Sequence, residues 1–144
     1  NIARVNQLGA KRFLAALARQ IAASGQPVSC PACLVAGGET TVTLHGDGLG
    51  GRNQELALGA VADLAGLPEI LLVSLATDGG DGPTDAAGAA VSGETYQRAC
   101  QAGLQVEDFL KRNDAYHFFA ALDDLLKPGP TMTNVNDLTF IFAF

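Results

Sequence analysis

Arg52 is the one Lys or Arg between Gln20 and Gln97, a span that also holds nine Asp and Glu. Gly46, Gly48, Gly50 and Gly51 precede it, and Asn53 and Glu55 follow. Glycines at that density sustain neither helix nor strand, and they permit φ > 0 or close backbone approach. From Asn53 onward, Leu56, Ala57, Ala60, Val61 and Leu64 recur at helical spacing. A glycine turn that opens a helix offers unpaired N–H groups and the positive end of the helix dipole, a natural place for an anion. A cation in the first turn opposes that dipole by about 0.3–1 kcal/mol when exposed. Something should compensate Arg52: a phosphate or carboxylate ligand, or an ion pair with Glu55 or with an acid brought close by folding.

The second chemical cluster is Thr77-Asp78-Gly79-Gly80-Asp81-Gly82-Pro83-Thr84-Asp85. Three carboxylates on a glycine-rich loop can serve a hard cation, and Mg²⁺ typically takes one or two carboxylates together with phosphate oxygens. The competing reading is turn chemistry, with Thr84 or Asp85 capping a short helix. Glu39 sits at a turn, as a surface carboxylate or as an acid facing the glycine loop. His45 and His117 read as structural or exposed. Cys30 and Cys33 form a single C-x-x-C with no second pair to complete a zinc site, and it leads into strand-like residues rather than a helix N-terminus. The phosphate-binding motif G-x-x-x-x-G-K-[ST] and the nucleophile elbow G-x-S-x-G are absent. Gly46-x-Gly48-x-x-Gly51 matches the dinucleotide fingerprint formally, but the acid expected on the next strand is replaced by Thr77-Asp78-Gly79.

The elements that must position these groups follow from periodicity. A helix is expected over 1–24, with Phe13, Leu14, Leu17 and Ile21 on one face, ending at Ser24-Gly25 before Pro27. Strands are expected over 28–35 and 40–45, then a helix over 50–65. Residues 70–76, ILLVSLA, read as a strand buried on both faces. Strand, helix and strand make a β-α-β unit whose two strand ends share one edge of the sheet. Arg52 is therefore expected close to the loop of residues 78–85. Helices over 94–102, 106–111 and 115–126 and a final strand over 138–144 complete an α/β, layered, single domain with a mixed, mostly parallel sheet flanked by helices.

A chain of 144 residues with 48% hydrophobic content and 17 glycines suits one globular α/β domain. A net charge of −6 argues against general nucleic-acid binding, and no apolar run is long enough to span a membrane. Three cysteines make no disulfide framework. No signal-peptide pattern opens the sequence, so the expected compartment is cytoplasmic. A start at Asn1 rather than Met is compatible with a piece of a longer chain.

The stretches GGETTVTLHGDGLGGRNQELAL and TDGGDGPTDAAGAAVSG, the group Asn113, Asp114, Tyr116, Phe118 and Phe119, and the stretch GPTMTNVNDL resemble the C-terminal, or MOFRL, domain of two-domain glycerate kinases. The resemblance runs from about Val35 to the C-terminus. It implies an ATP-dependent enzyme that phosphorylates glycerate, usually at the 2-hydroxyl, in a cleft between domains; some members carry the name hydroxypyruvate reductase. On this resemblance residues 1–24 form the inter-domain connecting helix and 25–144 the MOFRL-type domain, with the N-terminal kinase domain missing. Arg52, Asp78 and Asp81 become catalytic candidates. Arg52 would neutralise phosphate or hold the glycerate carboxylate, and Asp78 and Asp81 would hold Mg²⁺ or accept the hydroxyl proton. Gly48, Gly50, Gly51, Asn53 and Glu55 become cofactor-binding candidates, and Glu39, Thr84 and Asp85 substrate-binding candidates. The chain alone would be inactive and prone to self-association. Two departures are Met132 and Asp123, where the family usually has Gly. The alternatives are a nicotinamide-dependent hydroxypyruvate reductase and a non-catalytic assembly or sensor module.

Overall fold

The computed structural model describes residues 7–39, 41, 43 and 45–144. Helix α1 spans Gln7–Ser24 and turns Leu14, Ala15, Ala18 and Ile21 into the core, while Phe13, expected on that face, is 66% exposed. Strand β1 (Ala32–Gly38) leads through the glycine loop to helix α2 (Arg52–Leu64), and strand β2 (Ile70–Ala76) follows. The chain continues through β3 (Gly88–Ser92), α3 (Thr95–Gln101), α4 (Val106–Arg112), α5 (Ala115–Leu122), the two-residue β4 (Leu125–Leu126) and β5 (Asp137–Ala143). Of the strand expected over 40–45, residues 40, 42 and 44 lie outside the described residues; Thr41, Thr43 and His45 lie in no regular element. The start of the helix expected over 1–24 also lies outside them. The helix expected over 115–126 stops at Leu122, where Asp123 turns left-handed at φ 59° and sends Leu125 and Leu126 to the sheet edge.

The five strands are ordered β1-β5-β2-β3-β4, and every pairing is antiparallel. The mostly parallel sheet expected from the sequence is therefore incorrect. The reason is specific. β1 and β2 do run in the same direction, but they do not touch. β5, the last strand, is inserted between them and runs the other way, with Gly38 opposite Asp137 and Asp137 opposite Ala76.

Burial on one face was also not foreseen. β2 and β5 alternate buried and half-buried residues along their whole length. Ile70, Leu72, Ile141 and Ala143 join Ala89, Val91 and the helices in one core, where Leu58, Val61, Leu64, Phe118 and Phe119 are fully enclosed. α2 packs across β2 and β3, α1 lies on α2 and β5, and α3, α4 and α5 gather around α2. Leu71, Val73, Leu75, Leu138, Phe140 and Phe142 point the other way, where no described helix covers them. β2 is thus central in the sheet but covered on one side.

Candidate functional site

The carboxyl ends of β1 and β2 share an edge with the start of β5, and the groups singled out in the sequence converge there. Glu39 follows β1, Asp78 follows β2, and Asp137 opens β5. Arg52, first residue of α2, reaches this edge and forms a two-pronged pair with Asp137: Nε to Oδ2 at 2.6 Å and Nη2 to Oδ1 at 2.8 Å. The guanidinium fork suits two parallel hydrogen bonds to one carboxylate. Its side chain stays 31% exposed and Asp137 only 8%. The Asp137 hydrogen bond, opposed by burial and helped by the charges of Asp137, Asp81 and Glu39, raises the Arg52 pKa. The compensating anion expected for Arg52 is thus an acid delivered by folding, 85 residues away in sequence.

The helix N-terminus also has its anion. Gly51 caps α2 without a side chain. Asp81 does so from the other loop: its Oδ2 accepts the N–H groups of Asn53 at 3.0 Å and Gln54 at 2.9 Å, and its Oδ1 accepts the Asn53 amide at 3.3 Å. Asp81 has no exposed surface. Burial raises its pKa, against the N–H groups of Gln54 and Asn53 and the charge of Arg52. A Cβ on Gly51 would lie 2.3 Å from the Asp81 Cγ, so only glycine admits this contact. Ser74 Oγ donates to Asn53 Oδ1 at 2.7 Å, and Gln54 Nε2 donates to Thr84 Oγ1 at 2.9 Å. Asn53, Gln54 and Thr84 therefore knit the two loops together beneath Arg52.

The three loop aspartates separate by environment. Asp78 is exposed; its Oδ1 accepts the Gly80 N–H at 3.2 Å and its Oδ2 the Asn134 amide at 3.1 Å. Asp81 is enclosed. Asp85 lies out on the rim, where the Tyr116 hydroxyl at 2.7 Å and Lys127 at 3.2 Å hold its carboxyl below the usual range. No helix begins at Thr84 or Asp85. Residues 131–136 strap the loop down: the Thr131 N–H donates to the Asp78 carbonyl, the Thr131 hydroxyl to the Thr77 carbonyl, and the Val135 N–H to Thr77 Oγ1. Met132 sits in this strap at φ 60° and 96% exposed. Both departures from the glycine pattern, Met132 and Asp123, occupy left-handed backbone that glycine adopts most readily. Among the described residues no three His, Cys, Asp or Glu side chains gather as a metal cluster. Cys30 and Cys33 are free and exposed.

The glycine loop itself rests on the α4–α5 corner, whose Asn113 and Asp114 carry part of the resemblance but take no site role from it. Asn113 Oδ1 accepts the N–H groups of His45 at 2.7 Å and Gly46 at 3.1 Å, and Asp114 Oδ1 accepts that of Leu49 at 3.0 Å. Gly48 N–H donates to the Arg112 carbonyl at 2.8 Å, and Tyr116 N–H to the Leu49 carbonyl at 2.9 Å. A Cβ on Gly46 or Gly48 would lie within 2.6 Å of Arg112 backbone atoms. Asp114 begins α5 but makes no side-chain cap to it, because its carboxylate serves the loop and His117 instead. Glu55 is buried behind this corner, its carboxyl pushed up to about 7 by desolvation. Asp137, Asn113 and Asp114 lie in the resembling stretches but are not among the site residues expected from them. The signal available was Asn113 at the end of an expected helix, since Asn tolerates the left-handed conformation it adopts at φ 55°.

The MOFRL family model matches residues 32–137. The chain is 46% identical over 129 residues to the D-glycerate 2-kinase of Thermotoga maritima, covering 90% of this chain and 31% of that one. A relative from Agrobacterium vitis named putative hydroxypyruvate reductase is 43% identical over 129 residues, covering 88% of this chain and 34% of that one. The crystal structure of glycerate kinase from Thermotoga maritima superposes with a TM-score of 0.93 at 43% identity, over 96% of this chain and 34% of that one. The chain thus spans about a third of the length of these relatives. A family match across most of the sequence and a shared backbone agree: the chain belongs to the MOFRL family.

Proposed function

We propose that this chain is the C-terminal part of an ATP-dependent glycerate kinase and supplies one wall of a cleft closed by the rest of a longer protein. The observation that carries the reading is Arg52. A cation oriented by two hydrogen bonds, yet about a third exposed, stands at the sheet edge within the field of Asp81 and Glu39. Phosphoryl transfer needs positioning and charge neutralisation more than covalent help from the protein. Arg52 meets the transferred phosphoryl group or the glycerate carboxylate, and Asp137 keeps its fork aimed. Asp78 is an exposed loop carboxylate directly after β2, which fits a Mg²⁺ that takes one or two carboxylates plus phosphate oxygens. In that role the ion would offset phosphate charge. Alternatively, Asp78 accepts the proton of the reacting hydroxyl. Asp81, Asn53, Gln54 and Thr84 act through position, by fixing the start of α2. Gly46 and Gly48 permit close packing rather than cradling phosphate, because their N–H groups already have protein partners, and Asp81 already holds those of Asn53 and Gln54. Glu39, next to Arg52, is placed to select a hydroxyl-bearing substrate. The bare face of the sheet borders the same edge and is where the remaining chain would pack.

The test is an assay of the longer protein. Arg52→Ala and Asp78→Ala should each lower ATP-dependent phosphorylation of glycerate at least about a hundredfold, in line with the loss of a group that meets transition-state charge. The isolated chain should show no turnover. Undiminished transfer in both variants, or nicotinamide-dependent reduction of hydroxypyruvate with no transfer, overturns the reading.

A further inference from the structure

We infer that Asn113 is a positioning residue for the site: it fixes the glycine loop and, through Glu55, ties that loop to the helix start that carries Arg52. The consequence for phosphoryl transfer rests on the reading above; the link itself stands on the geometry. Asn113 ends α4 in a left-handed turn and is 6% exposed. Its side-chain oxygen is committed to two loop N–H groups, those of His45 and Gly46. Its amide nitrogen is therefore the group left to face Glu55, whose buried carboxyl Asn113 draws back down. One side chain thus has the loop on its acceptor side and the first turn of α2 on its donor side.

Glu55 gives the link a protonation state. It is 5% exposed, and its Oε1 has no hydrogen-bond partner among the described residues. Desolvation pushes its carboxyl up to about 7; Asn113 and Lys11 of α1 oppose that shift, whereas Asp114 at the corner and Asp81 on the neighbouring loop add to it. The closed arrangement holds the proton on Glu55 more tightly than an opened one in which water reaches the carboxylate. Raising the pH from about 4.5 towards about 7 therefore favours opening. The loop amides, not the helix core, should report it, because local opening follows the least buried contacts.

The test is amide hydrogen exchange in this chain, read at His45, Gly46 and Leu49, with Leu58 inside α2 as the reference and correction for the intrinsic pH dependence of exchange. Asn113→Ala should lower protection at His45 and Gly46 about tenfold or more, the equivalent of one hydrogen bond of typical strength, and leave Leu58 unchanged. In the wild type, corrected protection at the loop should fall between about pH 5 and about pH 7 and level off above, and Glu55→Gln should abolish that fall. Unchanged loop protection in Asn113→Ala, or the same pH profile in wild type and Glu55→Gln, overturns the inference. Should Asn113→Ala fail to fold, the shape-preserving Glu55→Gln carries the test alone. No turnover enters these readouts, so a kinase assay that fails leaves them standing.

Discussion

Glu55 ties the stability of this domain to pH through a buried carboxyl. Its carboxyl rises from an ordinary 4.5 to about 7 on folding. A raised acid binds its proton more tightly when folded, so its contribution falls as the pH climbs from about 4.5 to about 7 and is flat on either side. At about 1.4 kcal/mol per unit, the slope amounts to about 3 kcal/mol. Glu55→Gln should match the wild type near the bottom of that window and exceed it by up to about 3 kcal/mol above the top, read from urea midpoints. Asp81 and Asp124 are also raised by burial and tilt the wild type the same way, so the difference between the two proteins is the informative quantity. The resemblance brought Glu55 forward as a cofactor contact, as part of the stretch GGRNQE, while the residues alone offered it as an ion-pair partner of Arg52. Its burial was not legible there, since it depends on α1 and on a corner more than 50 residues downstream.

At the scale of the elements, the start of α2 was visible in the sequence but its cap was not. Glycines, a helical repeat from Asn53 and an acid-rich loop after a strand all pointed to the right pieces. Which acid would meet the helix dipole depended on the tertiary arrangement, and folding chose Asp81 for the N–H groups and Asp137 for the cation. Two substitutions in one loop should therefore part company. Asp81→Ala leaves buried donors on Asn53 and Gln54 unpaired, at about 1–3 kcal/mol for an unsatisfied group, partly offset by no longer burying a carboxylate. The expected loss is about 2 kcal/mol. Asp78→Ala removes two exposed contacts and should cost under about 0.5 kcal/mol, as is usual for surface positions. Chemical denaturation of the two variants checks this, and equal losses would contradict the separation of the loop into a buried anchor and an open carboxylate.

At the scale of the whole molecule, the misread direction of the sheet and its bare face have one cause. A strand under helices on one side normally shows alternation. In β2 that signal is erased because the outward residues Leu71, Val73 and Leu75 are as apolar as the inward ones, so ILLVSLA reads as buried twice over. Across the sheet, Val35 lies opposite Phe140 and Phe140 opposite Val73. Phe140, Phe142 and Phe144 stack along β5 at centroid spacings of 5.9 and 6.4 Å. Val35 and Phe144 are 60% and 63% exposed. An apolar face of this kind, with no described element over it, marks a contact surface, and the area decides how strong a contact it makes in this chain alone. Four strands about 4.8 Å apart and seven residues of about 3.4 Å long give roughly 450 Å² in plan per molecule. Two copies face to face would bury about twice that, below the roughly 1,200 Å² at which stable specific interfaces begin. The isolated chain should therefore associate weakly and with concentration, not lock into a tight dimer. Sedimentation across a concentration series should show the average mass rising, and Phe140→Lys, which places a charge at the centre of the face, should return it to the monomer without loss of secondary structure. A wild-type chain that stays monomeric throughout, or a Phe140→Lys chain that associates equally, would show that the face is not what the molecules share.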